Sequence, residues 1–394
     1  MIAFTYSGQG SQQPGMGAAW SDHPSWELVD EASEAADRDV SHLLLSADAD
    51  ELRETRNAQL ATFVTSMVIL DAVERLGIDA AGHAGHSLGE YSALTASGAL
   101  GFNDAVSLVV ERGEAMQVAA ENPEGTMAAV LGLDDTSVEE ACAAIDDSVW
   151  VANYNAPGQV VIAGAPDAVA AAGEEAKARG AKRATGLEVS GAFHTPFMAP
   201  ARERLGEAID ATDIRPPEGV VVSNVDATAH ENPATWRAMM NAQLCSPVRW
   251  CQSIETLSKA GFTTFVELGP SNVLTGLVKR TIKDATRLAV NTPNHLDALL
   301  EALAAPVETR ADGVETVEGE HLFATDRMVV SPATGVFTPV ADVEPGQTVT
   351  AGALLGHIGA TEIRSPFSGE FMNWLAVENE RITASKPIAW LRAQ

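Results

Sequence analysis

Gly85-His86-Ser87-Leu88-Gly89 is a G-x-S-x-G pentapeptide, a pattern that suits a serine nucleophile. The residues around it give the setting that such a serine needs. Thr62–Val73 predicts a mostly buried helix, Gly82–His86 a short buried strand, and Glu90–Gly98 a helix ended by glycine. Strand, tight turn and helix together make a nucleophile elbow. The flanking glycines let the turn lift the Ser87 hydroxyl clear of the sheet, and the helix N-terminus behind it offers free N–H groups to an oxyanion. A hydroxyl at its free pKa is a weak nucleophile and needs a base. His194, after the Val189–Phe193 turn and before Thr195-Pro196, is the best placed candidate. His83 and His86, beside the elbow, read as structural.

Two further stretches bear on chemistry. The apolar strand Ile2–Tyr6 runs into Ser7-Gly8-Gln9-Gly10-Ser11-Gln12-Gln13-Pro14-Gly15-Met16-Gly17, a loop able to set backbone and amide donors against a carbonyl. Arg112 lies in an apolar-faced helix, Val106–Gly113. It reads either as a solvated arginine paired with Glu111 or Glu114, or as a buried guanidinium that grips a free carboxylate in a planar two-bond fork.

These motifs resemble those of malonyl-CoA:acyl carrier protein transacylase. The matching residues are Gly8-Gln9-Gly10-Ser11-Gln12 with Gly15-Met16, Gly85–Tyr91, Arg112 and Asn153–Val161. Gly191-Ala192-Phe193-His194, Gln243-Leu244, Pro247–Trp250 and Glu267-Leu268-Gly269-Pro270 continue the series in the family's order. The resemblance covers about residues 1–300. It implies Ser87 as nucleophile, His194 as base, and backbone N–H groups of Gln9 and Leu88 as the oxyanion hole. Arg112, Gln243, Gln59, Phe193 and Asn155 would bind substrate, Arg112 through the malonyl carboxylate and Phe193 by crowding a 2-methyl branch. Leu60 follows Gln59 where the family commonly has proline. In the family a main-chain carbonyl near the Gln243 segment, not an acid, orients the histidine. Malonyl-CoA and an acyl carrier protein would be the partners. No metal or cofactor of its own is expected, since the phosphopantetheine arm belongs to the carrier.

At 394 residues the chain is longer than one usual domain. It is 46% hydrophobic and 20% charged, a globular composition. No apolar run is long enough for a membrane span and no secretory leader is visible, so a cytoplasmic location is expected. The net charge of −29 disfavours nucleic acid and anionic lipid. It is unusual beside acidic substrates, and Arg112, Lys182, Arg183, Arg249, Lys279 and Arg280 are candidates to offset it near the site; acidic, alanine-rich helices such as Glu27–Asp39 read as exposed, solvated faces that carry the excess. Cys142, Cys245 and Cys251 have neither metal spacing nor a disulfide framework.

Residues 1–123 and 190–304 alternate strands and helices, as an α/β core does, with late strands predicted at Gly219–Ser223, Thr264–Glu267 and Thr286–Ala289. Residues 124–189 change to a β-α-β-β-α-β rhythm, the split ferredoxin-like unit. The fold class expected is thus α/β, with an α/β-hydrolase-like core, an inserted ferredoxin-like subdomain and a cleft between them. Residues 305–325 read as an acidic linker. Beyond it, in residues 326–394, Ser331-Pro332, Gly335, Phe337, Val343-Glu344 and Leu355 recur as Ser365-Pro366, Gly369, Phe371, Val377-Glu378 and Ile388. Two such β-rich halves, each with turn residues (Pro345-Gly346 and Asn379-Glu380), suggest a small all-β barrel-sandwich. This resembles the biotinyl/lipoyl carrier domain, whose acceptor lysine sits on the hairpin between the halves. Here that crossing, Gly356–Arg364, has no lysine, and Lys386 near the end is the domain's single one. No biotin or lipoate is expected. Malonyl transfer to acyl carrier protein in fatty acid biosynthesis is the leading reading. A trans-acting polyketide-type acyltransferase, a serine thioesterase or hydrolase, and a non-catalytic adaptor are the alternatives.

Overall fold

The computed structural model describes residues 1–121, 124–189, 191–304, 326–331, 335–340, 343–359, 361–366, 368–377, 381–382 and 386–392. The expected linker 305–325, Ser190 and the Asn379-Glu380 turn lie outside them. The chain divides into two compact units, 1–305 and 306–394.

In the first unit β1 (Ile2–Tyr6) and β2 (Gly82–Gly85) begin the larger sheet. The chain then builds a smaller sheet from β3 (Thr126–Leu131), β4 (Val149–Ala156), β5 (Gln159–Gly164) and β6 (Arg183–Gly186). It returns to the larger sheet as β7 (Val220–Val221), β8 (Thr264–Leu268) and β9 (Thr286–Val290). The larger sheet is parallel throughout, in the order β7-β2-β1-β8-β9. Parallel strands need cover on both faces, and β1 and β2 are almost wholly buried, the polar Thr5 and His83 included. The Thr55–Glu74 helix is buried along nearly its whole length, including Phe63, Val64 and Val68. In such a sheet ligands sit outside the carboxyl ends of the strands, where β1 runs into Ser7 and β2 into Ser87.

The smaller sheet is antiparallel, in the order β4-β5-β3-β6. Helices Asp135–Ala143 and Pro166–Ala178 pack Val138, Cys142, Val169 and Ala172 against Val130, Val151 and Ile162. Tyr154 N–H donates to Val248 O (2.9 Å) and Val248 N–H to Ala152 O (2.8 Å), which ties β4 to the larger part of the unit.

Three sequence expectations need adjusting. The strand expected over Gly219–Ser223 is reduced to Val220–Val221, because Val222 bridges back to Ala229 and Ser223 O accepts Ala227 N–H. The acidic helix expected from Glu27 to Asp39 stops at Ala36, where Asp37 turns to φ +49°. It also buries Val29 and Ala32, so it is amphipathic and not a fully solvated face.

The second unit contains β10 (Asp326–Val330), β11 (Gly335–Pro339), β12 (Thr348–Val349), β13 (Leu354–Ile358), β14 (Thr361–Arg364), β15 (Gly369–Trp374), β16 (Arg381–Ile382) and β17 (Pro387–Arg392). They form two four-stranded sheets, β10-β17-β15-β12 and β14-β13-β11-β16. The sequence repeat shows in the core. Phe337 and Phe371, Leu355 and Ile388, and Ser331 and Ser365 are buried in both halves.

Candidate active site

Ser87 stands on the turn between β2 and the Gly89–Ala96 helix, at φ +53°. That left-handed conformation stores roughly 1–3 kcal/mol in a residue with a Cβ, so the surroundings must hold it. Two glycines allow it: a Cβ on Gly85 would overlap the Gly89–Glu90 peptide, and one on Gly89 would overlap the Tyr6 carbonyl ending β1. Asn224, just past β7, clamps the turn. Its Oδ1 accepts the Ser87 N–H (2.7 Å) and its Nδ2 donates to Gly85 O (2.8 Å). The Asn224 N–H in turn donates to Glu90 Oε2 (2.6 Å). The sequence reading missed both residues. The available signal for Asn224 was a polar residue just past a strand of the parallel sheet.

His194 lies 107 residues on, also left-handed at φ +61°. Its Nε2 is 2.8 Å from Ser87 Oγ, and its Nδ1 is 3.0 Å from Gln243 O. A carbonyl only accepts, so Nδ1 carries the proton and the Nε2 lone pair faces the hydroxyl. Burial, with the nearby Arg112 charge second, pushes the imidazole pKa down to about 3. The ring is therefore neutral at physiological pH and ready to accept a proton.

Arg112 is 1% exposed. Its Nη1 donates to Gln59 Oε1 (2.7 Å), and its Nη2 to Gln243 Oε1 (2.9 Å) and Ser87 Oγ (3.0 Å). The guanidinium carbon lies 5.5 Å from the centre of the Tyr91 ring. Gln243 also donates to Ser87 O (2.9 Å), so one glutamine touches arginine, histidine and serine together. The surface pairing open to Arg112 does not form. Glu111 pairs with Arg204, and Glu114 with Arg56.

Ser87 and His194 face a cavity of about 290 Å³. Gln9, His86, Ser87, Asn155, Phe193 and His194 line it, with Met116, Met127, Val161 and Leu274 as apolar wall. Arg112, Gln59, Gln243 and Leu88 are buried and are not among its lining residues, although Arg112 and Gln243 both bond Ser87, which does line it. Among the described residues neither the Gln9 nor the Leu88 N–H has a hydrogen-bond acceptor, as an anion-binding pair requires. Asn155 Oδ1 is 2.9 Å from His86 Nε2.

Of the basic candidates, Arg249 is turned to Val225 O and the Tyr154 ring, and Arg280 bonds Gln159 on the cavity rim. Lys182, Arg183 and Lys279 are exposed and line no part of the cavity. Arg53, which the sequence reading did not single out, does line it. Cys142, Cys245 and Cys251 are free thiols, and burial raises Cys142 and Cys251 to about 11. Among the described residues no group of three or more His, Cys, Asp or Glu could hold a metal, and no helix is long and apolar enough to cross a membrane.

A hydroxyl paired with a neutral histidine, two free amides and a buried guanidinium are parts that an acyl-transfer site needs. Comparison with known proteins agrees. Residues 3–306 match the model of the acyl transferase domain, and the chain belongs to that family. It is 44% identical over 307 residues to a malonyl CoA-acyl carrier protein transacylase of Bacillus subtilis (strain 168), covering 77% of this chain and 97% of the relative. The Escherichia coli (strain K12) protein of the same name is 42% identical, over 76% of this chain and 99% of its own. Among solved structures, a malonyl-transacylase in complex with its type II polyketide acyl-carrier protein superposes with a TM-score of 0.74 at 37% identity. It covers 76% of this chain and 99% of that one. An acyl carrier protein S-malonyltransferase of Vibrio cholerae gives 0.73 at 39% identity, with the same coverage.

Proposed function

We propose that the protein moves the malonyl group of malonyl-CoA to the phosphopantetheine thiol of acyl carrier protein, in fatty acid biosynthesis, by a two-step exchange on Ser87. His194 Nε2 takes the Ser87 proton as Oγ attacks the thioester carbonyl. The Gln9 and Leu88 amides hold the oxyanion. The C–S bond breaks, and the sulfur of coenzyme A leaves with the proton from His194. A malonyl-serine ester remains, its carboxylate on Arg112, with Gln59 and Gln243 aligning the guanidinium. The carrier thiol then gives its proton to His194 and attacks the ester, and Ser87 is restored. Phe193 and Asn155 shape the acyl and pantetheine space. No resident metal or cofactor enters this scheme, and a cytoplasmic location suits these substrates.

The observation that carries the reading is Arg112, a buried cation bonded to neutral acceptors within reach of the nucleophile. An acetyl site has no use for it. The first unit suits an α/β-hydrolase-like core, 1–123 and 190–304, with a ferredoxin-like insert at 124–189; the order β4-β5-β3-β6 favours that name. Residues 326–394 suit a biotinyl/lipoyl-like barrel-sandwich without its acceptor lysine, joined by 305–325. The likeness to a transacylase bound to a polyketide carrier favours one second reading, service to such a carrier.

The test supplies malonyl-CoA with holo acyl carrier protein and weighs the carrier. Malonyl-carrier and free coenzyme A are expected. Free malonate, formed equally fast without the carrier, would replace this reading by a hydrolase.

A further inference from the structure

Glu90 is a buried acid for which the acyl transfer has so far found no use. It is 0% exposed, in the first turn of the helix that follows Ser87. Its Oε2 accepts the Asn224 N–H, while Oε1 has no hydrogen-bond partner among the described residues. Arg112 is buried too, and its Nη groups donate to neutral oxygens of Gln59, Gln243 and Ser87. Its Nε has no partner among the described residues. The charged groups acting on Glu90 are Arg112, from the Phe102–Glu121 helix, and Asp226, from the loop past β7. Burial, against the pull of Asn224 and Arg112, places its carboxyl at about 7. The free site thus holds one cation, offset in part by one internal carboxylate.

A substrate carboxylate on Arg112 would put two carboxylates in one water-poor site beside a single cation. Like charges so placed do not both stay ionised. We propose that seating a free carboxylate on Arg112 draws one proton from solvent onto Glu90, so that the site neutralises its own carboxylate as it accepts the substrate's. Glu90 changes from carboxylate to carboxylic acid, and the proton returns to solvent when the acyl group leaves. Glu90 touches no reacting atom. It is a positioning residue that tunes the guanidinium and, through Asn224, the elbow. This rests on the proposed malonyl transfer, since it needs a carboxylated acyl group.

The sign follows from linkage. A form that binds an extra proton is favoured by acid, so malonyl binding should weaken as pH rises above about 7, by up to about tenfold per unit. His194 stays neutral across that range, its pKa lying near 3, and adds no slope. Acetyl-CoA shares the phosphates of malonyl-CoA and lacks the carboxylate, so it should show no such slope.

Two measurements on the full chain test this. The first follows KM for malonyl-CoA and the inhibition constant of acetyl-CoA from pH 6.5 to 9, in the native protein and in Glu90→Gln, whose amide oxygen can still accept the Asn224 N–H. The native KM should climb several-fold from pH 7 to 8, with acetyl-CoA flat and the variant flat for both. The second is calorimetry of Ser87→Ala with malonyl-CoA in buffers of different ionisation heat, which does not depend on Glu90→Gln folding. Uptake of a large fraction of a proton near pH 8 is expected, and none with acetyl-CoA. Zero uptake with malonyl-CoA, or an equal slope in Glu90→Gln, overturns the inference. Loading that occurs and depends on Arg112 without proton uptake defeats this inference alone. A native protein that takes no malonyl group defeats the function on which it rests.

Discussion

Replacing Arg112 by alanine separates a carboxylate-reading site from a structural arginine. The side chain donates to Gln59 Oε1 at 2.7 Å, Gln243 Oε1 at 2.9 Å and Ser87 Oγ at 3.0 Å. Truncation leaves two buried carboxamide oxygens without donors, at about 1–3 kcal/mol each, so a lower melting temperature is expected whatever the function. The functional loss is distinct. A hydrogen bond to a charged group contributes about 1.5–3 kcal/mol. A two-bond fork to the malonyl carboxylate therefore contributes roughly 3–6 kcal/mol, which at about 1.4 kcal/mol per decade is about 10²- to 10⁴-fold in kcat/KM. Acetyl-CoA makes no such fork, and its slow loading should change by far less. The assay is burst acylation with each thioester, followed by intact mass, below the variant's melting temperature. The ratio of the two losses cancels any shared folding defect. Arg112→Lys should recover only part of the malonyl rate, because an ammonium cannot supply the planar fork. Equal losses with malonyl-CoA and acetyl-CoA would refute the reasoning and leave Arg112 a packing residue.

Asn224→Ala should lower malonyl loading roughly 10- to 100-fold through loss of the elbow clamp, since it orphans the buried Gly85 carbonyl and the Ser87 N–H; an unchanged rate by stopped-flow would show that Gly85 and Gly89 hold the turn alone. Malonyl loading should stay flat as pH falls from 6.5 toward 4, because His194, at about 3, remains an unprotonated base; a rate lost with an apparent pKa near 6.5 would contradict this. Stability behaves differently. His194 and His83, at about 3 and about 4, are depressed below their unfolded value and bind more protons in the unfolded chain below about 6.5, whereas Glu90 and Glu74, at about 7, bind more in the folded chain down to about 4.5; the two effects offset until pH drops below about 4.5, where stability should fall. Denaturant melts from pH 7 to below 4 check that sign. Truncation after residue 305 should leave Ser87 acylation nearly intact, because every proposed catalytic group lies before that point; a folded fragment that cannot be acylated would give the second unit a share in the site.

The parts legible in the sequence are those written locally. Gly85 and Gly89 flank Ser87 within five residues, and the β-α-β-β-α-β order of short strands and helices marked the unit between Thr126 and Gly186. The repeat of Phe337 by Phe371 located the second unit's core. What the sequence left out depends on distant contacts. Asn224 reaches Ser87 across 137 residues, and Glu90 reads as an ordinary helix-forming acid until its burial is known. The role of Arg112 stayed open between surface pairing and burial. Surface pairing is excluded by its burial, at 1% exposed, and by Glu111 and Glu114 pairing with Arg204 and Arg56 instead. The strand expected over Gly219–Ser223 shortens to Val220–Val221 for a local reason: a turn that puts Ala227 N–H on Ser223 O and bridges Val222 to Ala229 ends it.

The most direct test of the central claim is the mass of the whole protein after brief exposure to malonyl-CoA alone, with peptide mapping of the adduct and Ser87→Ala in parallel. One malonyl group on the peptide that holds Ser87, discharged by holo acyl carrier protein and absent from Ser87→Ala, is the expected result. A malonyl group on any other residue, or an undiminished adduct on Ser87→Ala, would contradict it.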